Sequence, residues 1–207
     1  MLELIAFAEN TQRQPLMHIQ APRRFDLSGH LVLDEATRRN LELVVTSQEG
    51  RRDGSLYWTL NRCKTAMGSR LLMQRMLFPE RDLAEIETRL SDVEILKSDR
   101  PLRRQIRKAL EWVRDIERLV GRITVGRANP RDLGALRQSL KVMPEVSEIA
   151  QALTTSLGQK WRSADLCSEL LELLESALVD EPPTSDTDGG IFRLGYQPAL
   201  DTLIKAS

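Results

Sequence analysis

Arg103, Arg104 and Arg107 are the residues of this chain whose type and spacing come closest to a chemical task. Guanidinium groups three and four positions apart share a helix face and can grip phosphate oxygens. Arg114 and Arg118 would join that face if the helix ran on unbroken. No aromatic side chain interleaves with the row, and Glu111 and Asp115 intervene. The sequence therefore favours a solvated, ion-paired face, with Arg103, Arg104 and Arg107 as the candidate phosphate contacts. Asp115, Glu117 and Arg118 superficially form an acid/base cluster, but carboxylates beside arginines are held ionised, which opposes general-acid chemistry. Helix-to-helix pairing is the expected role. His18 and His30 sit in loop-like sequence with no Ser, Cys or carboxylate arranged as a triad. Cys63 and Cys167 are far apart and have no Cys or His neighbours at metal spacing, so they are expected to be free, buried thiols of a reducing compartment. No Gly-Lys pair occurs, so the glycine-rich loop that cradles nucleotide phosphates is missing. No catalytic, cofactor-binding or metal-binding residue is assigned.

The elements that must hold these residues read as helices. Aromatics are 4% and charged residues 29% of the 207 residues, and leucine dominates the apolar set, as in packed amphipathic helices rather than sheets. The predicted fold is all-α and multihelical, with two helical subregions and minor extended segments near Leu31 and Ile191. Formal charge is zero but unevenly spread: residues 100–141 hold twelve basic residues against four acids, and residues 165–188 hold eight acids and no base. The two halves can attract each other or face different partners. No apolar run approaches the roughly 18–20 residues needed to cross a bilayer. The start, MLELIAFAEN, has no basic region ahead of its apolar residues and does not read as a signal peptide.

Leu2, Leu4, Ile5 and Ala8 suggest a short helical start, and Pro15, Pro22 and Gly29 break the chain that follows. Asp34 reads as the N-cap of a helix carrying Leu41, Val44 and Val45. Asp53-Gly54-Ser55 reads as a turn whose Ser55 caps a helix with Leu56 and Leu60 on one face. Gly68 permits close packing, and Leu71, Leu72, Met76 and Leu77 form an apolar face ended by Pro79. Asp82 caps a helix with Leu83, Ile86, Leu90, Val93 and Leu96 in a stripe. Asp99-Arg100-Pro101 starts another, which either continues through Trp112 or breaks near Glu111. Asn129-Pro130 is a structural helix start. Leu133, Leu136, Leu140 and Met143 follow, Pro144 interrupts, and Val146, Ile149 and Leu153 resume. Leu166, Leu170, Leu173, Leu174 and Leu178 mark the most regular helix. Pro182 to Gly190 reads as a solvated loop. Trp58, Trp112 and Trp161 are expected to anchor packing.

As a string, DGSLYWTLNRCKTAMGSRLLMQRMLFP, from Asp53 to Pro79, resembles the signature of the core domain of MutS-type DNA mismatch repair proteins. Thr65, Met67, Gly68, Arg70, Leu71, Leu72 and Pro79 match. Leu60-Asn61 stands where the family usually has Leu-Asp, and Met76-Leu77 where a Trp is usual. Three further stretches resemble the same domain in the same order: Leu33 to Leu43, Arg114 to Val146 with its Asp-x-Glu-Arg and Ala-x-Pro-Arg-Asp-Leu, and Glu181 to Leu203. Phe7-Ala8-Glu9 fits the family's mismatch-reading Phe-x-Glu literally. That motif belongs to a different domain, however, so Phe7 is expected to pack in a core with Glu9 solvated.

The resemblance implies a core, or lever, domain over residues 15–190. Residues 1–14 would end a connector, and residues 191–207 would begin the passage into a DNA clamp, so the chain reads as an excised piece without clamp or ATPase. It implies a structural link between connector, clamp and ATPase, with ATP and Mg used only by the full-length family protein, a DNA-dependent ATPase. Implied partners are the other domains of the parent, mismatched double-stranded DNA, a second subunit and MutL, in the bacterial cytoplasm at the nucleoid and away from membranes. A MutS homologue acting in recombination, or a stand-alone basic helical DNA-binding module, are the alternatives.

Overall fold

The structure is a computed structural model and describes residues 29–151, 153 and 156–206, with residues 3, 7, 10 and 11 near the N-terminus. Leu2, Leu4, Ile5, Ala8, Glu9, His18 and the segment 15–28 lie outside the described residues. The described chain is helical throughout, and the extended segments near Leu31 and Ile191 reduce to single antiparallel bridges, His30 with Glu80 and Leu178 with Phe192.

Local sequence sets most helix starts. Helix α1 (Glu35–Asn40) is capped by Asp34, whose carboxylate accepts the Thr37 amide. It ends earlier than the sequence suggests. Glu42 takes a left-handed backbone, φ 47°, and its side chain accepts the Ser47 amide at 2.6 Å and hydroxyl at 2.7 Å. Leu41, Val44 and Val45 thus lie in a turn rather than on a helix. Gly54, at φ +87°, makes the turn that delivers Ser55 to cap α2 (Leu56–Leu60). That five-residue helix buries Tyr57, while Leu56, Leu60 and Trp58 are exposed. Thr65 caps α3 (Ala66–Leu77) through the Gly68 amide. A Cβ on Gly68 would sit 3.1 Å from the Thr65 hydroxyl oxygen, so cap and glycine fit as a pair.

Helix α4 (Leu83–Ser98), capped by Asp82, leaves Leu83, Leu90 and Val93 exposed; its stripe is not buried by the described residues. Helix α5 (Arg100–Ala109) then breaks. A 3-10 turn (Leu110–Trp112) and an extended Val113 separate it from α6 (Ile116–Thr124), which Asp115 caps. Helix α7 (Pro130–Gln151) runs straight through Pro144. Proline removes an amide and costs about 3 kcal/mol inside a helix. Here Leu136 and Leu140 are buried on one side of it and Val146 and Ala150 on the other, so packing carries the helix across. Helix α8 (Ser156–Arg162), α9 (Ser168–Ala177) and α10 (Pro198–Ala206) complete the order. Leu166 precedes α9 and Leu178 caps its end. Leu174 and Leu178 are buried, but Leu170 and Leu173 are exposed.

Helix α7 is the spine. Leu136 and Leu140 join Leu119, Leu174 and Leu178 in one apolar cluster, and Val142 and Val146 join Ala109 and Val113 in a second. Met143 and Ile116 pack against both. Gly158 lets α8 approach closely: a Cβ there would fall 1.9 Å from the Leu153 carbonyl oxygen.

Among the described residues, one ion pair and two backbone contacts join the basic and acidic segments. Lys141 pairs with Glu175 at 3.3 Å, and Arg137 donates to the carbonyls of Leu178 at 2.9 Å and Asp180 at 2.7 Å. Several expectations of burial are corrected. Phe7 is 70% exposed. Cys63, in the link between α2 and α3, and Cys167, in a left-handed turn ahead of α9, are both exposed. Trp58 lies on a five-residue helix whose buried residue is its neighbour Tyr57, and Trp112 on a 3-10 turn with no buried residue; both tryptophans are exposed. Trp161 is the tryptophan that packs against a cluster.

Candidate functional site

The chemistry-bearing residues converge where α3 meets the elbow between α5 and α6. Arg70, on α3, donates to both carboxylate oxygens of Asp115 at 2.7 Å each. It also bonds Glu117. Such a bidentate fork fits guanidinium to carboxylate geometry. Asp115 also accepts the Arg118 amide at 3.3 Å, so one carboxylate both caps α6 and receives α3. The Arg70 guanidinium, with the Arg118 amide adding to it, holds the Asp115 carboxyl below its ordinary range. Lys64 bonds Glu111 on the 3-10 turn and lowers that carboxyl in the same way. Asp115 and Glu117 therefore pair helix to helix, with Arg70 as their partner, while Arg118 contributes its backbone amide.

The arginine row is divided by the elbow, so Arg103 and Arg107 share no continuous helix with Arg114 and Arg118. Arg103 donates to the carbonyls of Leu96 at 2.5 Å and Lys97 at 2.9 Å, closing the end of α4. Arg107 donates to the Arg62 carbonyl at 2.9 Å. Backbone oxygens, not carboxylates, are the partners of both; this corrects the ion-paired face. Orphan carbonyls at helix ends need donors, and arginine satisfies them from a distance. Arg104 is exposed, and so are Arg100 and Lys108, one helical step of four residues to either side.

Asn129 and Asp132 cap each other at the start of α7: the Asp132 amide donates to the Asn129 side chain at 2.8 Å and the Asn129 amide to the Asp132 carboxylate at 2.9 Å. Arg122 of α6 reaches the same carboxylate at 3.1 Å. Asn61 uses both ends of its amide. It donates to the Tyr57 hydroxyl at 3.1 Å and accepts from the Cys63 amide at 3.3 Å and the Ser69 hydroxyl at 3.2 Å.

Ser139 carries no weight in the sequence reading, yet it is wholly buried. Its hydroxyl donates to the Ala135 carbonyl at 2.8 Å and accepts the Arg114 amide at 3.0 Å, tying the elbow to α7. A serine among Leu140, Val142 and Val146 was the available signal: a hydroxyl on a buried face needs a partner. Among the described residues no group of His, Cys, Asp and Glu is arranged to hold a metal, and no helix is long and apolar enough to cross a membrane.

Fold and site together define a multihelical domain whose polar residues join helices. The profile of MutS domain III matches residues 36–204. DNA mismatch repair protein MutS of Brevibacillus brevis is 42% identical over 205 residues, 99% of this chain and 24% of the relative. The MutS of Oleidesulfovibrio alaskensis is 40% identical over 222 residues, 99% of this chain and 25% of the relative. That of Bacillus pumilus is 38% identical over 207 residues, 100% and 24%. The chain belongs to the MutS family, through its domain III, and spans about a quarter of the length of these curated relatives.

The motifs that carried the resemblance are contact residues. Arg70 of the Thr-x-Met-Gly-x-Arg-Leu-Leu run meets Asp115 and Glu117 of the Asp-x-Glu-Arg run.

Proposed function

We propose that this chain is a helical transmission module with no active site of its own, linking a connector, a clamp and an ATPase in a mismatch repair protein. The observation that supports it most is α7. One 22-residue helix is shared by both apolar clusters, with Met143 in each, so a displacement at one end moves the other. In this reading residues 1–14 close the connector, residues 15–190 form the lever and residues 191–207 lead toward the clamp. ATP and Mg act in the ATPase of the full-length protein. Mismatched DNA, a second subunit and MutL are partners of that whole protein in the bacterial cytoplasm, at the nucleoid. The purified chain should hydrolyse no ATP above background and bind heteroduplex DNA weakly. Hydrolysis that follows the protein through mutagenesis would overturn the reading.

The outward face of α5 favours a second reading. Arg100, Arg104 and Lys108 project at four-residue steps, with Arg103 and Arg107 beside them and no acid in the helix. In a stand-alone DNA-binding module, Arg103, Arg104 and Arg107 would contact phosphates. Reversing those three charges should then abolish binding whose affinity falls steeply with salt.

A further inference from the structure

We infer that α3 and the link before it are fastened to the α5–α6 elbow by a salt-releasable electrostatic joint, distinct in kind from the packing around α7. One side contributes cations and a carbonyl: Lys64, Arg70 and the Arg62 oxygen. The other contributes three carboxylates and one donor: Glu111, Asp115, Glu117 and Arg107. These links join segments 45 to 47 residues apart in sequence.

Apolar contact backs them up in part: Leu72, Met73, Met76 and Leu77 of α3 are half-buried. Helix α3 has no fully buried residue, and Met67 is the α3 side chain packed against an apolar cluster. The joint is wet at its rim and covered at its centre: the side chains of Arg70 and Glu111 are about half exposed, at 49% and 51%, and Glu117 is 69% exposed, while Lys64 is at 32% and Asp115 at 20%. The further charges that bear on it are Arg118 beside Asp115, and Arg107 and Lys108 beside Glu111. They are cations that add to the hold on the carboxylates.

Screening reaches such groups. The Debye length falls from about 10 Å at 0.1 M salt to about 3 Å at 1 M. Salt leaves apolar burial intact or strengthens it. Raising ionic strength should therefore loosen this joint while the α7 clusters stay packed. The inference goes beyond the transmission reading and does not depend on it, since it concerns contacts within this chain.

Amide hydrogen exchange at fixed pH, in about 0.1 M and about 1 M sodium chloride, tests it. Exchange in residues 62–78 should rise about fivefold with salt, while residues 136–143, and the elbow that Val113 and the Arg114–Ser139 bond tie to α7, stay unchanged. Arg70→Gln should show the raised exchange already at low salt. Lys64→Glu should do the same, and Lys64→Glu with Glu111→Lys should restore protection by exchanging the charges. The inference is overturned if residues 62–78 are insensitive to salt, if residues 136–143 loosen equally, or if the exchanged pair fails to recover protection. The exchanged pair keeps the question open to refutation even where a single variant folds poorly. Failure of the joint leaves the assays for ATP hydrolysis and DNA binding untouched.

Discussion

The region around α7 and the region from His30 to Pro79 use different physics to hold helices together. Around α7, Leu136, Leu140, Leu174 and Leu178 are buried to 7% exposure or less, and the supporting polar group, Ser139, is buried with them. In the earlier region, Leu43, Tyr57 and Ser55 are buried, but α3 has no fully buried residue and attaches through half-buried side chains such as Met67, ion pairs and caps. Apolar burial is close-packed and is not weakened by salt. Ion pairs at half-exposed sites are directional, screened and individually weak. A domain built from both has a stiff body and an adjustable edge.

Two substitutions in the body should show the largest effects. Gly158→Ala places a methyl on the Leu153 carbonyl oxygen, a backbone clash that no side-chain rotation relieves. A loss of about 3 kcal/mol or more is expected, together with a red shift of the Trp161 fluorescence, since Trp58 and Trp112 are already exposed. Leu140→Ala should cost about 2–5 kcal/mol in chemical denaturation. Leu71→Ala on α3, a leucine that is 47% exposed, should cost about 0.5 kcal/mol or less. Equal losses at the two leucines would erase the comparison. Ser139→Ala ranks next. It leaves the Arg114 amide without its acceptor inside the body and should cost about 1–3 kcal/mol, with exchange at residue 114 rising ahead of its neighbours.

The same division explains what was legible in the sequence. Caps were readable because they are local: Asp34, Ser55, Asp82, Asp99 and Asn129 all start helices, since a side-chain oxygen needs only the amide two or three residues on. The four motif stretches led to the family because their strings are specific. What α7 does at Pro144 was not readable, because the packing that overrides a proline comes from residues distant in sequence. Burial of Trp58, Trp112, Cys63 and Phe7 was misjudged for a related reason. Residue type states a preference, but whether a partner surface arrives is decided by what lies across from it. Arg103 and Arg107 illustrate the site itself: their charge was evident, yet the carbonyls of Leu96, Lys97 and Arg62 that they satisfy appear only when helix ends meet in space.

Acid gives the finest separation of the two regions and the smallest effect. Carboxyls lowered by hydrogen bonds or cations are Asp34, through Thr37; Glu42, through Ser47; Glu80, through the Arg81 and Asp82 amides; Glu111, through Lys64; and Asp115, through Arg70. Asp34 and Glu42 lie in the earlier region, Glu80 directly follows it, and Glu111 and Asp115 lie on the elbow it touches. A carboxyl lowered in the folded state contributes stability above its unfolded value, and that contribution is lost as pH falls through the lowered one. The ordinary values are 3.8 for the aspartates and 4.5 for the glutamates. The contribution is therefore complete near neutrality and fades below about pH 4. Arg70 is shifted upward, so it keeps its charge throughout this range. Exchange corrected for intrinsic rates should rise about two- to threefold in residues 34–78 between about pH 6 and about pH 3.5, with little change in residues 136–143. Asp115→Asn should remove part of that acid response in residues 66–77 while leaving Glu80 and the segment beside it responsive. A body that loosens in acid as early as α3 would mean that the edge and the core share one cooperative unit, and that the ion pairs do not define a separate, adjustable part.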